Sequence, residues 1–471
     1  LRSNTTSPAN TRQSEAARGG DDIVAVATPP GRGAISIARL SGGGIPALCK
    51  ALTGALPQPR RAELCDFRAR DGAAIDRGLA LYFPAPHSYT GEHALELHAH
   101  GSPVVMSMLV RRCLELGARL ARPGEFSERA FLNGRLDLAQ AEAVADLIAS
   151  STEAAARSAM HSLQGEFSSR VRELAGELTE LRVLVEAELD FPDEDIGGGE
   201  SAAQERARVE ARLRGLRESF AQLRGEAARG RLLRDGLKVA LTGPPNAGKS
   251  SLLNALARRP RAIVSGIPGT TRDLLEQMID LDGMPVELTD TAGLREAADE
   301  IEAEGMRRAR EAQRRADLTL LVVDDAAETP RTLAKLRKAC GDGPVCLVRN
   351  KTDLSGRAPG VVKQGGKNGE DAVAVSALRG DGLEELREVI KSRAGHRGGE
   401  DNVFIARERH LDALRRARAH LDAAARQFAD GRGELLAEEL GACQRVLGEI
   451  TGEVSSDDLL GMIFASFCIG K

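Results

Sequence analysis

Gly243-Pro244-Pro245-Asn246-Ala247-Gly248-Lys249-Ser250 is the stretch from which the rest of this chain can be read. It fits G-x-x-x-x-G-K-[ST], a loop whose backbone N–H groups cradle nucleotide phosphates. The apolar run Leu237-Lys238-Val239-Ala240-Leu241-Thr242 before it predicts a strand, and Ser251-Leu252-Leu253-Asn254-Ala255-Leu256 after it predicts a helix. Strand, glycine loop and helix N-terminus together aim amide donors and the positive end of a helix dipole at bound phosphate. In this motif Lys249 reaches the β- and γ-phosphates and the Ser250 hydroxyl holds Mg²⁺. Asn246, Ala247, Gly248 and Ser251 complete the loop's contacts.

The chain around that loop is 471 residues long, enough for about three domains. Its 42% hydrophobic content suits a globular protein, and a formal net charge of −4 excludes an overall basic character. Nucleic-acid binding would therefore rest on local patches, with few stacking platforms at 3% aromatic content. The seven cysteines are odd in number and scattered, with no C-x-x-C pair, which points to a reducing, cytoplasmic setting and away from a thiolate zinc site. No apolar run approaches the roughly 20 residues of a membrane span. Residues 1–20 are polar and predict a disordered tail.

Between residues 21 and 137 short β-like runs (Ile23–Ala27, Ala34–Leu40, Gly78–Phe83, His93–His100) mix with helical ones such as Val104–Leu116, which predicts a compact α+β domain. Residues 138–235 are Ala-, Leu-, Glu- and Arg-rich with helical spacing, interrupted at Phe191-Pro192-Asp193 and Gly197-Gly198-Gly199. Strands return at Leu237, so a nucleotide domain is expected over 236–398, and 399–471 read as helical again. That order predicts an α/β nucleotide domain inserted into a discontinuous helical one.

Asn350-Lys351-Thr352-Asp353 follows the apolar strand Val345–Val348. N-K-x-D in that position reads guanine, because the aspartate accepts from a ring N–H and an exocyclic amine that adenine does not present. Ser376-Ala377-Leu378, after the strand Ala372–Val375, supplies a backbone donor to the guanine oxygen. Asp290-Thr291-Ala292-Gly293 fits D-x-x-G, with Asp290 on Mg²⁺ through water and Gly293 at the γ-phosphate; Leu274–Leu281 and Pro285–Asp290 flank Asp282-Gly283, a hairpin turn. Four ordered elements at Ras-like spacing point to a GTPase domain.

Ras-type proteins place a water-orienting glutamine directly after D-x-x-G, and here that residue is Leu294. Other groups must then serve hydrolysis. Asn246 lies inside the phosphate loop, and Ser265-Gly266-Ile267-Pro268-Gly269-Thr270-Thr271-Arg272-Asp273 supplies backbone carbonyls, with Thr271 placed to complete Mg²⁺ coordination. An amide oxygen, carbonyls and phosphate oxygens form a hard-ligand cage for a monovalent cation, which would neutralise transition-state charge as an arginine finger does. The acidic run Glu296–Glu304 offers a carboxylate to orient water, although such a run is more often a solvated helix face.

These residues resemble the MnmE (TrmE) family of tRNA-modification GTPases. The resemblance rests on Asn246, Gly269–Asp273, Asp290–Glu296 and the ending Cys468-Ile469-Gly470-Lys471. Ala27–Gly33, Tyr89–Glu92 and Arg122–Asn133 extend it to the N-terminal domain, so it covers about Asp21 to Lys471. It implies an N-terminal domain that dimerises and binds folate, a discontinuous helical domain, and the inserted Ras-like G domain. It implies K⁺-dependent GTP hydrolysis triggered by G-domain dimerisation in a homodimer. It further implies addition of a carboxymethylaminomethyl or aminomethyl group to the wobble uridine of certain tRNAs, with an FAD-containing MnmG partner and a one-carbon tetrahydrofolate such as 5-formyltetrahydrofolate. Carried over by motif, Asn246, Ser265, Ile267 and Thr270 ligate K⁺, Ser250 and Thr271 ligate Mg²⁺, and Glu302 orients water. Arg39, Glu96, Arg135 and Lys471 match folate-contacting positions; at Arg135 the family often has lysine, and the two are not interchangeable at a directed contact.

Other candidates read more simply. His93, His98 and His100 are too few and too poorly accompanied for a metal site; Cys468 could act as a nucleophile but reads more simply as a packed thiol; and Arg111-Arg112, Arg307-Arg308 and Arg415–Arg418 could touch tRNA phosphates but alternate with acids as solvated faces do. The competing function is a regulatory GTPase that assists ribosome or complex assembly without base chemistry.

Overall fold

A computed structural model describes residues 21–190, 202–257, 276–290, 311, 313–341, 343–363, 371–393, 404–454, 457–468 and 470. In order come β1 (Ile23–Val26), β2 (Ile35–Gly42), α1 (Ile45–Thr53), β3 (Glu63–Arg68), β4 (Ala74–Phe83), β5 (His93–His100), α2 (Pro103–Glu115), β6 (Arg119–Leu120) and α3 (Glu125–Leu132). Four helices follow: α4 (Leu138–Ala149), α5 (Glu153–Leu163), α6 (Glu166–Asp190) and α7 (Ala202–Asp235). Next are β7 (Leu237–Thr242), α8 (Lys249–Ala257), β8 (Glu276–Leu281), β9 (Met284–Asp290), β10 (Leu318–Asp324), α9 (Pro330–Ala339), β11 (Val345–Asn350), α10 (Thr352–Ser355), β12 (Gly360–Lys363), β13 (Asp371–Ala374) and α11 (Leu383–Arg393). The chain closes with α12 (Glu408–Ala429), α13 (Gly433–Thr451) and α14 (Asp457–Ala465).

Contacts sort the chain into two compact units. One comprises the N-terminal part to Ala145, Leu163–Ala202 and the part from Ala419 onward; the other comprises Asp146–Ser162 and Ala203–Arg418.

The first unit carries a six-stranded sheet of order β3-β4-β5-β2-β1-β6. Period-two alternation puts Ala38 and Leu40 of β2 and Leu95, Leu97 and Ala99 of β5 on one face, in a core with Leu48 of α1 and Met106 and Leu109 of α2. The opposite face receives Arg39 and Glu96, which the β2–β5 register sets side by side. Sequence alone predicts four of these strands. β3 is half-exposed without clean alternation, and β6 has only two residues. In the helical part, α6 buries Val171, Leu174, Leu178, Leu181 and Val185, and α13 buries Leu436, Leu440, Cys443, Leu447 and Ile450. Both stripes alternate three- and four-residue steps, so the two helices lie along one another. Gln444 pins the pairing, accepting from Arg182 at 2.8 Å and donating to Thr179 at 2.9 Å. Ile463, Phe464 and Phe467 at the C-terminal end pack with Leu138, Ala141 and Phe131.

The second unit is built on a seven-stranded sheet of order β12-β13-β11-β10-β7-β9-β8. The central pairs are parallel, and antiparallel β8 and β12 form the edges. Strands covered on both faces lose polar alternation. β10 is buried throughout from Leu318 to Val323 for that reason. Leu252 and Leu256 of α8 and Leu386 and Ile390 of α11 cover one face, and Leu333 and Leu336 of α9 cover the other. β10 and β12 were not among the strands expected from sequence. Asp146–Ser162 joins this unit through the β8–β9 turn, where Thr152 Oγ1 donates to Gly283 O at 2.8 Å. Ser162 exchanges hydrogen bonds with both backbone groups of Ile405.

Candidate functional site

β7 delivers the chain into Gly243 at the C-terminal edge of the parallel sheet, and α8 leaves from Lys249. Two glycines make that loop possible. Gly243 has φ 145°, and a Cβ there would lie 2.0 Å from Val322 O; Gly248 has φ 88°, and a Cβ would lie 2.3 Å from Asn350 Nδ2. Only glycine tolerates both the positive φ and the close approach. Asn246 sits between them at φ 59°, exposed at the loop's tip. Lys249 is buried, with Nζ donating to the carbonyls of Gly243 (3.1 Å) and Pro244 (2.7 Å). Ser250 Oγ donates to Asp290 Oδ2 at 2.8 Å. Hydroxyl and carboxylate oxygens held together at a helix start are hard donors that fit Mg²⁺. Ser251 is exposed on the first turn of α8.

The base-reading segment meets this loop directly. Asn350, 2% exposed at the end of β11, donates from Nδ2 to Ala247 O at 2.9 Å and accepts the Ala377 N–H at 3.0 Å. One side chain thus locks the phosphate loop, the N-K-x-D segment and the Ser376-Ala377-Leu378 loop together. Asp353 Oδ1 accepts from the buried Ser376 hydroxyl at 2.7 Å, and the Thr352 N–H reaches Val375 O at 3.2 Å. Lys351 takes the left-handed conformation (φ 66°) and pairs with Asp324 at 2.8 Å. Leu378 is 86% exposed. Burial opposes ionisation of Asp324 less than the Lys351 hydrogen bond favours it, so its pKa lies below the usual carboxylate value. Asp324, Asp325, Arg349 and Arg357 were not candidates from sequence; the signal was two acids closing an apolar strand.

Ser265, Gly266, Ile267, Pro268, Gly269, Thr270, Thr271, Thr291, Ala292, Gly293 and Glu302 lie outside the described residues. So does Lys471.

On the first unit's sheet, Arg39 pairs with Glu96 through Nε (3.0 Å) and Nη2 (2.9 Å), and its Nη1 is 3.5 Å from Gly470 O. The C-terminal end therefore reaches the outward sheet face. Tyr89 stands nearby, its hydroxyl 2.8 Å from Ser127 Oγ; burial pushes its phenol pKa up against the Ser127 hydrogen bond and the Arg39 charge. Gly91 of the same loop lies beside the Arg135 side chain. A guanidinium and a carboxylate on an open face suit a ligand with both acidic and N–H groups.

The three histidines have separate partners: His93 meets Tyr82, His98 meets Glu96 and His100 meets Asp76. Among the described residues no group of three or more His, Cys, Asp or Glu is arranged to hold a metal. Cys468 is exposed. Arg112 pairs with Glu115, and Arg415 and Arg416 pair with Asp412. No described helix is long and apolar enough to cross a membrane.

Residues 22–135 match the family description "GTP-binding protein TrmE N-terminus", and residues 138–468 match "MnmE helical domain". The chain belongs to the MnmE (TrmE) family. Similar family members are the tRNA modification GTPase MnmE of Alkalilimnicola ehrlichii, 54% identical over 95% of this chain and 99% of that one, and that of Stutzerimonas stutzeri, 52% identical over 96% and 99%. Among solved structures, the G domain of the T. maritima FeoB iron transporter aligns at 29% identity over 34% of this chain and 98% of its own, with a TM-score of 0.26. Membership in the MnmE family makes this chain a GTPase of multidomain α+β, helical and P-loop architecture.

Proposed function

We propose that this GTPase drives addition of a carboxymethylaminomethyl or aminomethyl group to the wobble uridine of certain tRNAs, using a K⁺-dependent G-domain cycle. In this reading residues 21–137 form a dimerising domain that binds a one-carbon tetrahydrofolate, 138–235 and 399–471 form the helical domain, and 236–398 form the G domain. An FAD-containing MnmG-type protein is the partner, and the setting is the cytoplasm. The observation that carries the nucleotide part is Asn350, whose amide ties Ala247 of the phosphate loop to Ala377 of the base loop. Family membership at 54% identity supports the tRNA part.

Each residue then has a task. Amides of residues 247–251 and the α8 dipole hold the β-phosphate. Lys249, held by Gly243 and Pro244 carbonyls, is poised to turn toward the β- and γ-phosphates. Ser250 and Thr271 hold Mg²⁺, with Asp290 behind them. Asn246, Ser265, Ile267 and Thr270 hold K⁺, which supplies positive charge where negative charge builds on the transferring phosphoryl group. Glu302 orients the attacking water. Asp353 selects guanine by accepting from two of its N–H groups. Arg39, Glu96, Arg135 and Lys471 bind the folate. Disrupting the gene and analysing tRNA nucleosides tests the reading: loss of the modified wobble uridine is expected, and an unchanged nucleoside profile would refute it.

A further inference from the structure

The N-K-x-D aspartate reads a base only if its two carboxylate oxygens stay aligned with two N–H groups, and Asp353 sits on a helix of just four residues. Such a short piece has no rigidity of its own. What holds it comes from the neighbouring strand. The β10–β11 register sets Asp324 against Asn350 and Val323 against Arg349. Asp325, the next residue, has a side chain only 1% exposed and gathers three donors: Arg349 at 3.1 Å, Arg357 Nε at 2.7 Å and Ser355 Oγ at 2.7 Å. Its backbone N–H also donates to Asn350 O at 2.9 Å. Arg349 directly precedes the motif, and Ser355 and Arg357 follow it.

From this convergence we infer that Asp325 is a positioning residue for guanine specificity, clamping both flanks of Asn350–Asp353 so that Asp353 presents both oxygens to the base. The inference rests on the guanine reading of this site. The partners of Asp325 are the residues flanking the motif and the Asn350 carbonyl, so it acts through the backbone that carries Asp353. Burial alone would raise its pKa, and the hydrogen bonds from Arg357, Ser355 and Arg349 hold it below the usual carboxylate value, so a charge is retained at the clamp. Arg349 is half-buried, with a side chain 17% exposed, and Asp325 is its partner at 3.1 Å. Losing Asp325 thus frees Arg349 as well as the far flank.

Calorimetric titration of the full chain with GDP and with IDP, which lacks the 2-amino group, separates positioning from general stability. Asp325→Ala is expected to shrink the preference for GDP over IDP by about 10-fold, the value of one charge-assisted hydrogen bond, while IDP affinity falls less than about 3-fold. Equal losses for the two nucleotides, or an unchanged preference, overturn the assignment. If Asp325→Ala does not fold, Arg357→Gln combined with Ser355→Ala removes the far-flank ties from exposed positions. The same narrowing is expected there, and a constant GDP-to-IDP ratio would again overturn it. A parent chain with no preference for GDP overturns the guanine reading itself, which distinguishes that failure from a failure of Asp325's role.

Discussion

Ser250 Oγ and Asp290 Oδ2 lie 2.8 Å apart, joining the first turn of α8 to the last residue of β9. Parallel pairing of β7 with β9 sets Leu241 against Asp290, so both strands end at one level beneath the phosphate loop. Ser250→Ala is expected to abolish the Mg²⁺-dependent part of GTP affinity and leave affinity in EDTA unchanged. Asp290→Asn keeps an acceptor but loses the charge, so it should need more Mg²⁺ for half-maximal turnover. A full Mg²⁺ response in Ser250→Ala would remove serine from the metal site.

Gly248→Ala tests the packing of the loop against the base segment. The new Cβ would fall 2.3 Å from Asn350 Nδ2, breaking the bond to Ala247 O that this amide makes. A loss of about 1–3 kcal/mol in stability, from a buried polar group left unpaired, should accompany at least about a 10-fold loss of GDP affinity. Thermal unfolding and titration on the same sample measure both.

The cation and the water-orienting group separate by salt and by affinity. GTP turnover should be much faster in K⁺ than in Na⁺ at equal ionic strength, and Asn246→Ala should erase the difference. Glu302→Ala should slow turnover with nucleotide affinity nearly intact. Equal rates in both salts for the parent chain would exclude the K⁺ role.

Glu125 predicts an acid limb in stability. Its side chain is 2% exposed, and it accepts from Arg119 at 2.6 Å, the Arg122 N–H at 2.8 Å and Arg129 at 3.0 Å. Burial alone would raise its pKa, but the bonds from Arg119, Arg122 and Arg129 bring it from 4.5 to about 2. A carboxyl depressed in the fold stabilises fully above its unfolded pKa, and the contribution is lost as pH falls from 4.5 through about 2. Glu125→Gln should flatten that limb of a denaturation-midpoint profile. At neutral pH it should cost about 1–3 kcal/mol, because Arg119 and Arg129 lose a charged acceptor although they keep Asp21 and Glu92 as partners.

Short contiguous segments were legible before any coordinates. Gly243–Ser250, Asn350–Asp353 and Asp290–Gly293 each carry their chemistry within a few residues, so residue type and spacing suffice. The hairpin at Asp282-Gly283 was legible for the same reason, since its turn is local. β3 and β12 were not, because edge strands owe their pairing to a neighbour rather than to their own pattern. β10 is strongly apolar but is not among the strands expected from sequence. Its place at the sheet centre depends on parallel crossovers that no local pattern encodes.

Composition and motif alone determined that this chain holds a guanine nucleotide on a P-loop α/β sheet, because each recognition element is continuous in sequence. Tertiary structure alone decided that Asn350 bridges two loops, that Asp325 clamps Arg349, Ser355 and Arg357, and that Gly470 lies beside Arg39. In each case the partners are brought together by strand register or by the chain's return to its own sheet, so the contact depends on the whole fold and is absent from any local stretch.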